Sequence, residues 1–363
     1  MGYSVKAQSL ADTLVKLDNS FGVTGDEGET AEALKEEMEG LYDEHFADAQ
    51  GNQIYVRHGK NKDKRVLLSA HMDEIGYIVK SIDKSGFARI FPVGFHDDRM
   101  SINQVLVFRT AEGKKVQGVT GCKPAHIVTE EERGKAARIG ELFVDFGTRS
   151  AEETRSLGLE IGDYGGFDRA GHFLNNTDYY TGKSIDDRGG LAVLVEVLRR
   201  LKDRDVEPSV YMAGSVQEET GMRAGNPLVN QVKPELFLAV DGTIPGDIPP
   251  LSYEECSQKL GDGVGIKFYD WDSGITCGNS VPRKLTGRMI AVAKKYNIPF
   301  QREVIMGGGT DAWNAWQAGT GCLAGGVSIP MRYMHTAVGV LKLSDLDICA
   351  DYLVKYLEDY VTL

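Results

Sequence analysis

The stretch RVLLSAHMDEIGYIVKSID, Arg65 to Asp83, decides how the whole chain is read. Its opening run, RVLLSA, predicts a buried strand that delivers His71 at its carboxyl end, the edge of an open α/β sheet where ligands gather. Asp73 stands two residues on, so on an extended segment its side chain emerges on the same side as the imidazole. From Ile75 onward the character changes to short, alternating segments. One stretch therefore ends a core strand, presents a histidine with a carboxylate, and opens a different structural unit.

Working outward, the segments GYIVKSID, FARIFPVG, QVLVFRTAEGKKVQGVTG and ELFVDFG, separated by Gly, Asp, Asn and Lys turns, predict an all-β insert over residues 75–163. Within it CKPAHIVTEEERGKAAR, which begins at Cys122, is polar and charged and reads as a long mobile loop. Upstream, Leu34, Met38 and Leu41 recur at helical spacing within residues 30–44. Downstream the α/β pattern resumes. Leu191, Leu194, Val195, Leu198 and Leu201 mark one face of a helix that follows Asp186, and residues 209–216 and 235–240 predict core strands, the second ending at Asp241. Leu285, Met289, Ile290 and Ala293 define a further helix. The last helix, opened by Ser344 with Asp347 three residues on, carries Leu346, Cys349, Leu353, Leu357 and Tyr360 on one side. The predicted plan is an α/β domain of residues 1–74 and 164–363, interrupted by the β domain.

Composition narrows the function classes. The 363 residues, 42% of them hydrophobic, suffice for one large core and a smaller one. Against 41 basic side chains stand 53 acidic ones, and the formal charge of -12 repels nucleic-acid phosphates and anionic membrane surfaces, so neither is an expected partner. Cys122, Cys256, Cys277, Cys322 and Cys349 lie far apart with no C-x-x-C spacing, the pattern of reduced thiols. The first residues lack the apolar core of a signal peptide and the serine of a myristoylation motif, and no apolar run approaches the roughly 20 residues of a membrane span. A cytoplasmic location is expected.

The residues that carry chemistry are His71 and Asp73 in SAHMDE, Asp186 in GKSIDDRGG, Glu218 and Glu219 in VQEETG, Asp241 in LAVDG and His335 in YMHT. Singly they have ordinary explanations: a self-satisfied H-x-D pair, acidic dipeptides at solvated turns, an Asp-Gly turn, a hydrogen-bonded histidine. Together they match what two divalent cations need. Asp186, Glu219 and Asp241 supply three negative charges, a bridging hydroxide a fourth, and neutral His71 and His335 complete the coordination shells. Asp73 can orient the imidazole or a nearby ligand. Adjacent glutamates diverge on an extended chain, so one serves as a ligand while the other faces the water as a general base. Zinc or cobalt suits such a mixed imidazole and carboxylate site, as does manganese.

His45, His58, His96 and His172 lack such company and read as structural or surface residues, whereas His126, in the mobile loop, stays open as a substrate-binding candidate. The run MGGGTDA lacks the lysine and spacing of a phosphate loop. It reads as a glycine-rich turn lining a cleft, with Thr310 and Asp311 as substrate-side groups. Arg332 is a further candidate for the wall that selects the substrate side chain.

The set SAHMDEIG, KPAH, GKSIDDRGG, VQEETGMRAG, AVDG, GGGTDA and RYMHT resembles the dinuclear metallo-aminopeptidase family of glutamyl, deblocking and tetrahedral aminopeptidases, some members of which are named endoglucanase or cellulase M. The resemblance spans nearly the whole chain. It implies a three-layer α/β/α phosphorylase/hydrolase-like domain with an inserted β-barrel used in dimerisation, and assembly of dimers into a tetrahedral dodecamer that admits short peptides. It implies that His71, Asp186 and Asp241 hold one metal, that Asp186, Glu219 and His335 hold the other, that Glu218 is the general base, and that Asp73 supports His71. The activity implied is release of N-terminal residues from short peptides. Cys122 before KPAH, where a small inert residue is common, and Thr336 after His335, where serine is usual, depart from the family pattern without touching a ligand. Two competing readings stay open: a metal-independent carbohydrate hydrolase working with two carboxylates, and a non-catalytic peptide-binding scaffold.

Overall fold

The structure, a computed structural model, describes residues 5–363 apart from 136, 253, 275 and 276. Three strands come first: β1 (Glu44–Ala47), β2 (Gln53–Arg57) and β3 (Asn61–His71). The next six are β4 (Gly76–Ile82), β5 (Ala88–Val93), β6 (Val105–Arg109), β7 (Lys115–Thr120), β8 (Phe143–Asp145) and β9 (Tyr164–Phe167), and they close on themselves as a barrel in the order β4-β5-β8-β7-β6-β9. The chain then returns through β10 (His172–Phe173), β11 (Tyr179–Gly182), β12 (Pro208–Ser215), β13 (Leu236–Thr243) and β14 (Val264–Asp272). It ends with β15 (Cys277–Ser280), β16 (Phe300–Met306), β17 (Leu323–Arg332) and β18 (Gly339–Lys342). These and the first three form one mixed sheet, β1-β2-β12-β3-β13-β17-β18-β11-β10, with β14 pairing β15, β16 and β17.

At the centre of the sheet β12, β3, β13 and β17 run parallel, so their carboxyl ends meet at one edge. Helices cover both faces: α1 (Val5–Asn19), α2 (Gly28–Met38), α4 (Ile185–Leu201), α6 (Arg283–Lys295) and α8 (Leu343–Glu358) on one, α5 (Gly225–Val232) and α7 (Ala312–Trp316) on the other, while the short α3 (Ala151–Ser156) lies between β8 and β9. Val66, Leu68 and Ala70 of β3 pack with α1, α4 and α8, and Leu67 packs with α5 and α7. A strand covered on both faces has no polar side to show, which is why RVLLSA runs apolar without alternation. In the barrel only one face is covered, and β7 alternates exposed and buried residues from Lys115 to Thr120.

Several expectations are corrected here. The helix predicted over residues 30–44 is shorter, Gly28–Met38, and β1 begins at Glu44. Helix α4 is buried nearly all round, Val193, Glu196 and Val197 included, because it is wedged between the sheet and helices α1 and α8. Ser344 does not cap the last helix. Asp178 does: its carbonyl accepts from Leu343 N at 2.7 Å and its carboxylate from Ser344 N at 3.0 Å. The barrel's closing strand β9 lies beyond position 163, where the insert was expected to end. The segment from Cys122 carries a 3-10 turn at Ala125–Ile127 and a local tie between Glu132 and both Lys123 and Thr129. No helix among the described residues is long and apolar enough to cross a membrane. Among the described residues all five cysteines are free thiols.

Candidate metal centre

The carboxyl edge of the sheet gathers the residues singled out by sequence. His71 ends β3, Asp241 sits near the end of β13, and Glu218 and Glu219 follow β12, whose last residue pairs with His71. Asp186 lies in the first turn of α4, where its backbone (φ -87, ψ 104) and that of Asp187 (φ -118, ψ 40) depart from helical values. His335 belongs to the connection between β17 and β18 and holds a left-handed backbone, φ 59. The floor is buried, with His71 at 3% exposure and Asp187 at 0%, whereas Glu218, Glu219 and His335 are partly exposed. The site therefore opens to solvent on the side of the paired glutamates and His335.

Both imidazoles are oriented the same way. His71 Nδ1 lies 3.0 Å from the main-chain carbonyl of Asp73, and His335 Nδ1 lies 2.8 Å from the carbonyl of Phe95. A carbonyl only accepts, so each Nδ1 carries a proton and each Nε2 is turned inward. His71 Nε2 faces Asp186 Oδ1 at 3.1 Å and Asp241 Oδ1 at 3.8 Å. His335 Nε2 faces Asp186 Oδ2 at 3.5 Å and Glu219 Oε2 at 3.4 Å. Asp186 thus offers a separate oxygen to each imidazole, as a bridging carboxylate does. In neutral rings these Nε2 lone pairs would confront carboxylate lone pairs. A cation lodged between them removes the repulsion, so the donor set fits metal ions. Donor atoms of His71, Asp186 and Glu219, and of His71, Asp187 and Asp241, lie within 4.8 Å of one another.

The charge balance points the same way. Burial raises the carboxyls of Glu218 and Asp187 well above the ordinary range, and raises those of Glu219 and Asp241 to about 7. Burial alone would lower the two imidazoles, but Asp186 and Asp73 hold His71 well above its usual value, and Glu219 and Asp186 lift His335 to about 10. Burial would likewise raise Asp186, yet the hydrogen bonds from His335 and His71 keep it low. Six acidic groups crowd a small space against two imidazoles, so acidic groups are in excess there.

Asp73 acts at two points. Its main chain receives His71, while its carboxylate, 3.6 Å from His71 Nδ1, accepts from Glu218 N at 3.0 Å, Glu219 N at 3.1 Å and Thr24 Oγ1 at 2.7 Å. It holds the glutamate pair in place as much as the imidazole. Asp187 was not singled out by sequence; it accepts from His71 N at 3.2 Å and from Gly190 N at 2.9 Å. Its signal was its place beside Asp186. Phe95, which fixes His335 from 240 positions away, left none.

The substrate-side candidates are placed as follows. Thr310 is buried, its hydroxyl accepting from Ala312 N at 3.3 Å, and Asp311 is buried near Glu218 with its carboxyl raised to about 6, first by burial. Arg332 is engaged by Asp247 through bonds of 3.0 and 2.6 Å. His126 stands exposed in the 3-10 turn of the insert.

An imidazole and carboxylate ring at the carboxyl edge of a parallel sheet core, with a glutamate at its open side, defines a metallohydrolase. Which one follows from relatives: a model of the M42 glutamyl aminopeptidase family matches residues 51–351, and the chain belongs to that family. It is 34% identical to a putative aminopeptidase of Acetivibrio thermocellus over 97% of this chain and 99% of the relative. An aminopeptidase of the archaeon Desulfurococcus kamchatkensis superposes with a TM-score of 0.92 at 32% identity, covering 99% of this chain and 97% of the other. The TET1 peptidase of Pyrococcus horikoshii, described as assembling into a tetrahedron or a large octahedral shell, gives 0.83 at 29% identity over 97% and 100%. The protein is therefore an aminopeptidase, a peptide hydrolase of the metallopeptidase class, and neither the carbohydrate-hydrolase nor the scaffold reading is favoured.

Proposed function

We propose that the protein releases N-terminal residues from short peptides at this site while holding two divalent cations. The observation that carries the reading is the pair of imidazoles whose Nδ1 atoms are tied to carbonyls and whose Nε2 atoms face one shared carboxylate, Asp186. His71, Asp186 and Asp241 would hold one cation and Asp186, Glu219 and His335 the other, with Asp187 close to the first. Bound there, zinc, cobalt or manganese supplies Lewis acidity and lowers the pKa of water. The chain's own work is positional and protolytic. Asp73 fixes the backbone of residues 218 and 219, which sets Glu218 at the open side, and Glu218 accepts a proton from the attacking water and returns it to the departing amine. The acidic surroundings favour a peptide that presents a free, cationic α-amino group.

Residues 1–74 and the segment beyond the barrel form the catalytic unit in this reading, and the barrel serves dimerisation. Self-association continues to a tetrahedral dodecamer in the cytoplasm, a reading supported by the tetrahedron described for the Pyrococcus relative. Thr310, Asp311, Arg332 and His126 are the substrate-side candidates, to be separated by single substitutions read on KM.

The test is removal of metal, reloading with zinc, cobalt or manganese in turn, and rates on acidic, basic, apolar and proline aminoacyl anilides. Activity must vanish on stripping and return with a cation. Glu218→Gln must keep the fold and the bound metal yet lose kcat by about 10²–10⁴-fold. A flat panel after reloading, or full activity in Glu218→Gln, defeats the reading.

A further inference from the structure

We propose that Lys267 and Glu303, a buried ion pair on strands that carry no metal ligand, are positioning residues for Asp241, locking the end of β13 so that its carboxylate stands ready for a cation. The inference rests on the reading of Asp241 as a ligand. Lys267 of β14 and Glu303 of β16 are directly paired across the sheet, 2% and 1% exposed, with Nζ 3.0 Å from Oε1. The same Oε1 accepts from the hydroxyl of Thr243 at 2.7 Å, and Thr243 lies two residues beyond Asp241 on β13. One carboxylate oxygen thus joins the lysine to the strand that carries the ligand.

The surroundings are built to hold that pair. The pairing of β14 with β16 slips between Lys267 and Tyr269, so Asp270, rather than Tyr269, follows Lys267 on the buried side, its Oδ2 3.7 Å from the ammonium. Asp270 is itself anchored by the indole N–H of Trp313 and by Asn279 N at 2.8 Å. Gly326 of β17 leaves the space for the lysine stem: a Cβ there would lie 3.2 Å from both Cδ and Cε.

Stability alone does not explain such a group. It buries one cation against two carboxylates, and Glu303 Oε2 and Asp270 Oδ2 have no hydrogen-bond partner among the described residues. Apolar side chains of similar volume at these positions would usually be as stable or more so. What the charges add is a fixed field beside Asp241, on whose carboxylate Lys267 acts favourably, and a rigid tie to the end of β13.

The test is the double variant Lys267→Met, Glu303→Met, which removes a neutral pair and keeps volume. Metal-stripped protein is titrated with zinc alone, and bound equivalents are counted at each free concentration. Asp270 loses its ammonium neighbour but keeps Trp313 and Asn279 as donors, so the variant should fold with a lowered melting temperature and bind one of the two zinc ions about 10–100-fold more weakly, the cost typical of losing a partner behind a ligand. Glu303→Gln, which can still accept from Thr243, should lose less. Asp241→Asn is the marker for the underlying reading. If it leaves both zinc affinities unchanged, Asp241 is not a ligand. If it weakens one site while the folded double variant binds both ions like the wild type, the positioning role alone is overturned. Should the double variant not fold, Glu303→Gln decides: zinc binding equal to wild type overturns the role.

Discussion

Arg188→Met tests the support behind the metal centre more directly than any change to a ligand. The guanidinium is fully buried two residues after Asp186. Its Nε donates to Leu17 O at 3.2 Å, one Nη donates to the carbonyls of Met72 and Asp73, the latter at 3.1 Å, and the other to Thr30 Oγ1 at 2.9 Å and Glu74 Oε1 at 3.5 Å. A Cβ on Gly22 would lie 2.5 Å from that second Nη, so the glycine makes room for it. The fork staples the end of α1, the first turn of α2 and the two residues that follow His71. Methionine fills most of the volume but strands the carbonyl of Met72, worth about 1–3 kcal/mol when buried and unpaired, while Leu17 O keeps Ser20 and Asp73 O keeps His71 as donors. Glu74 keeps Lys183 at 2.6 Å, which limits the loss. The net cost should be about 3–5 kcal/mol, the range for breaking a buried ion pair, against a total stability of about 5–15 kcal/mol. Urea unfolding of metal-stripped protein, followed by circular dichroism, measures it free of ligand linkage. Zinc affinity should fall too, because the carbonyl of Asp73, which orients His71, loses the guanidinium that helps to fix it. Arg188→Lys keeps the charge but cannot span three acceptors and should recover only part. A loss below about 1 kcal/mol in Arg188→Met would refute the reasoning.

Three further outcomes follow from the geometry. Gly94→Ala places a Cβ 2.7 Å from Ile75 Cγ2 and 3.5 Å from Glu219 Cβ at a φ of +85, so it should cost about 1–3 kcal/mol in urea and weaken zinc binding at the Glu219 and His335 side; wild-type values in both assays would contradict it. Asp345 is buried and its carboxyl is pushed up to about 6, mainly by burial, so the stability it contributes is complete below pH 4 and is lost as pH rises through 6. Asp345→Asn should therefore gain on the wild type by up to about 2–3 kcal/mol between pH 4 and 8, and a pH-independent difference in melting would oppose this. Zinc must displace protons held by Glu219 and Asp241, at about 7, and by His335, at about 10, so affinity should rise with pH, and calorimetry at pH 7 in buffers of differing ionisation enthalpy should record net proton release; uptake or no exchange would count against it.

What could be read from the sequence was set by local pattern. An apolar run with no alternation marked β3 as covered on both faces, and the residue at its end was the first member of the site. The barrel was legible because strands such as β7 alternate. Its last strand was not, since YGGF reads as a turn: Gly165 is there because a Cβ would lie 2.4 Å from the ring of Phe108. The full burial of α4 escaped a helical-face reading because periodicity reports one face, and the other is covered by helices distant in sequence. Asp178 replaced Ser344 as the cap because capping is a question of which acceptor arrives, not of which residue type stands at the helix start.

The same distinction explains how much of the site was visible. Ligand side chains have types, and types at strand ends can be picked out. The acceptors that aim them are mostly main-chain atoms. His71 depends on the carbonyl of Asp73, His335 on that of Phe95, and the glutamate pair on its own N–H groups received by Asp73. Any residue supplies a carbonyl, so its identity carries no signal, and its position depends on the fold having already brought the barrel loop to the sheet edge. The orientation of His335 by the insert also means that the barrel is not a passive appendage. A change in the barrel that displaces Phe95 would act on the metal centre through one 2.8 Å bond, with every ligand side chain left intact.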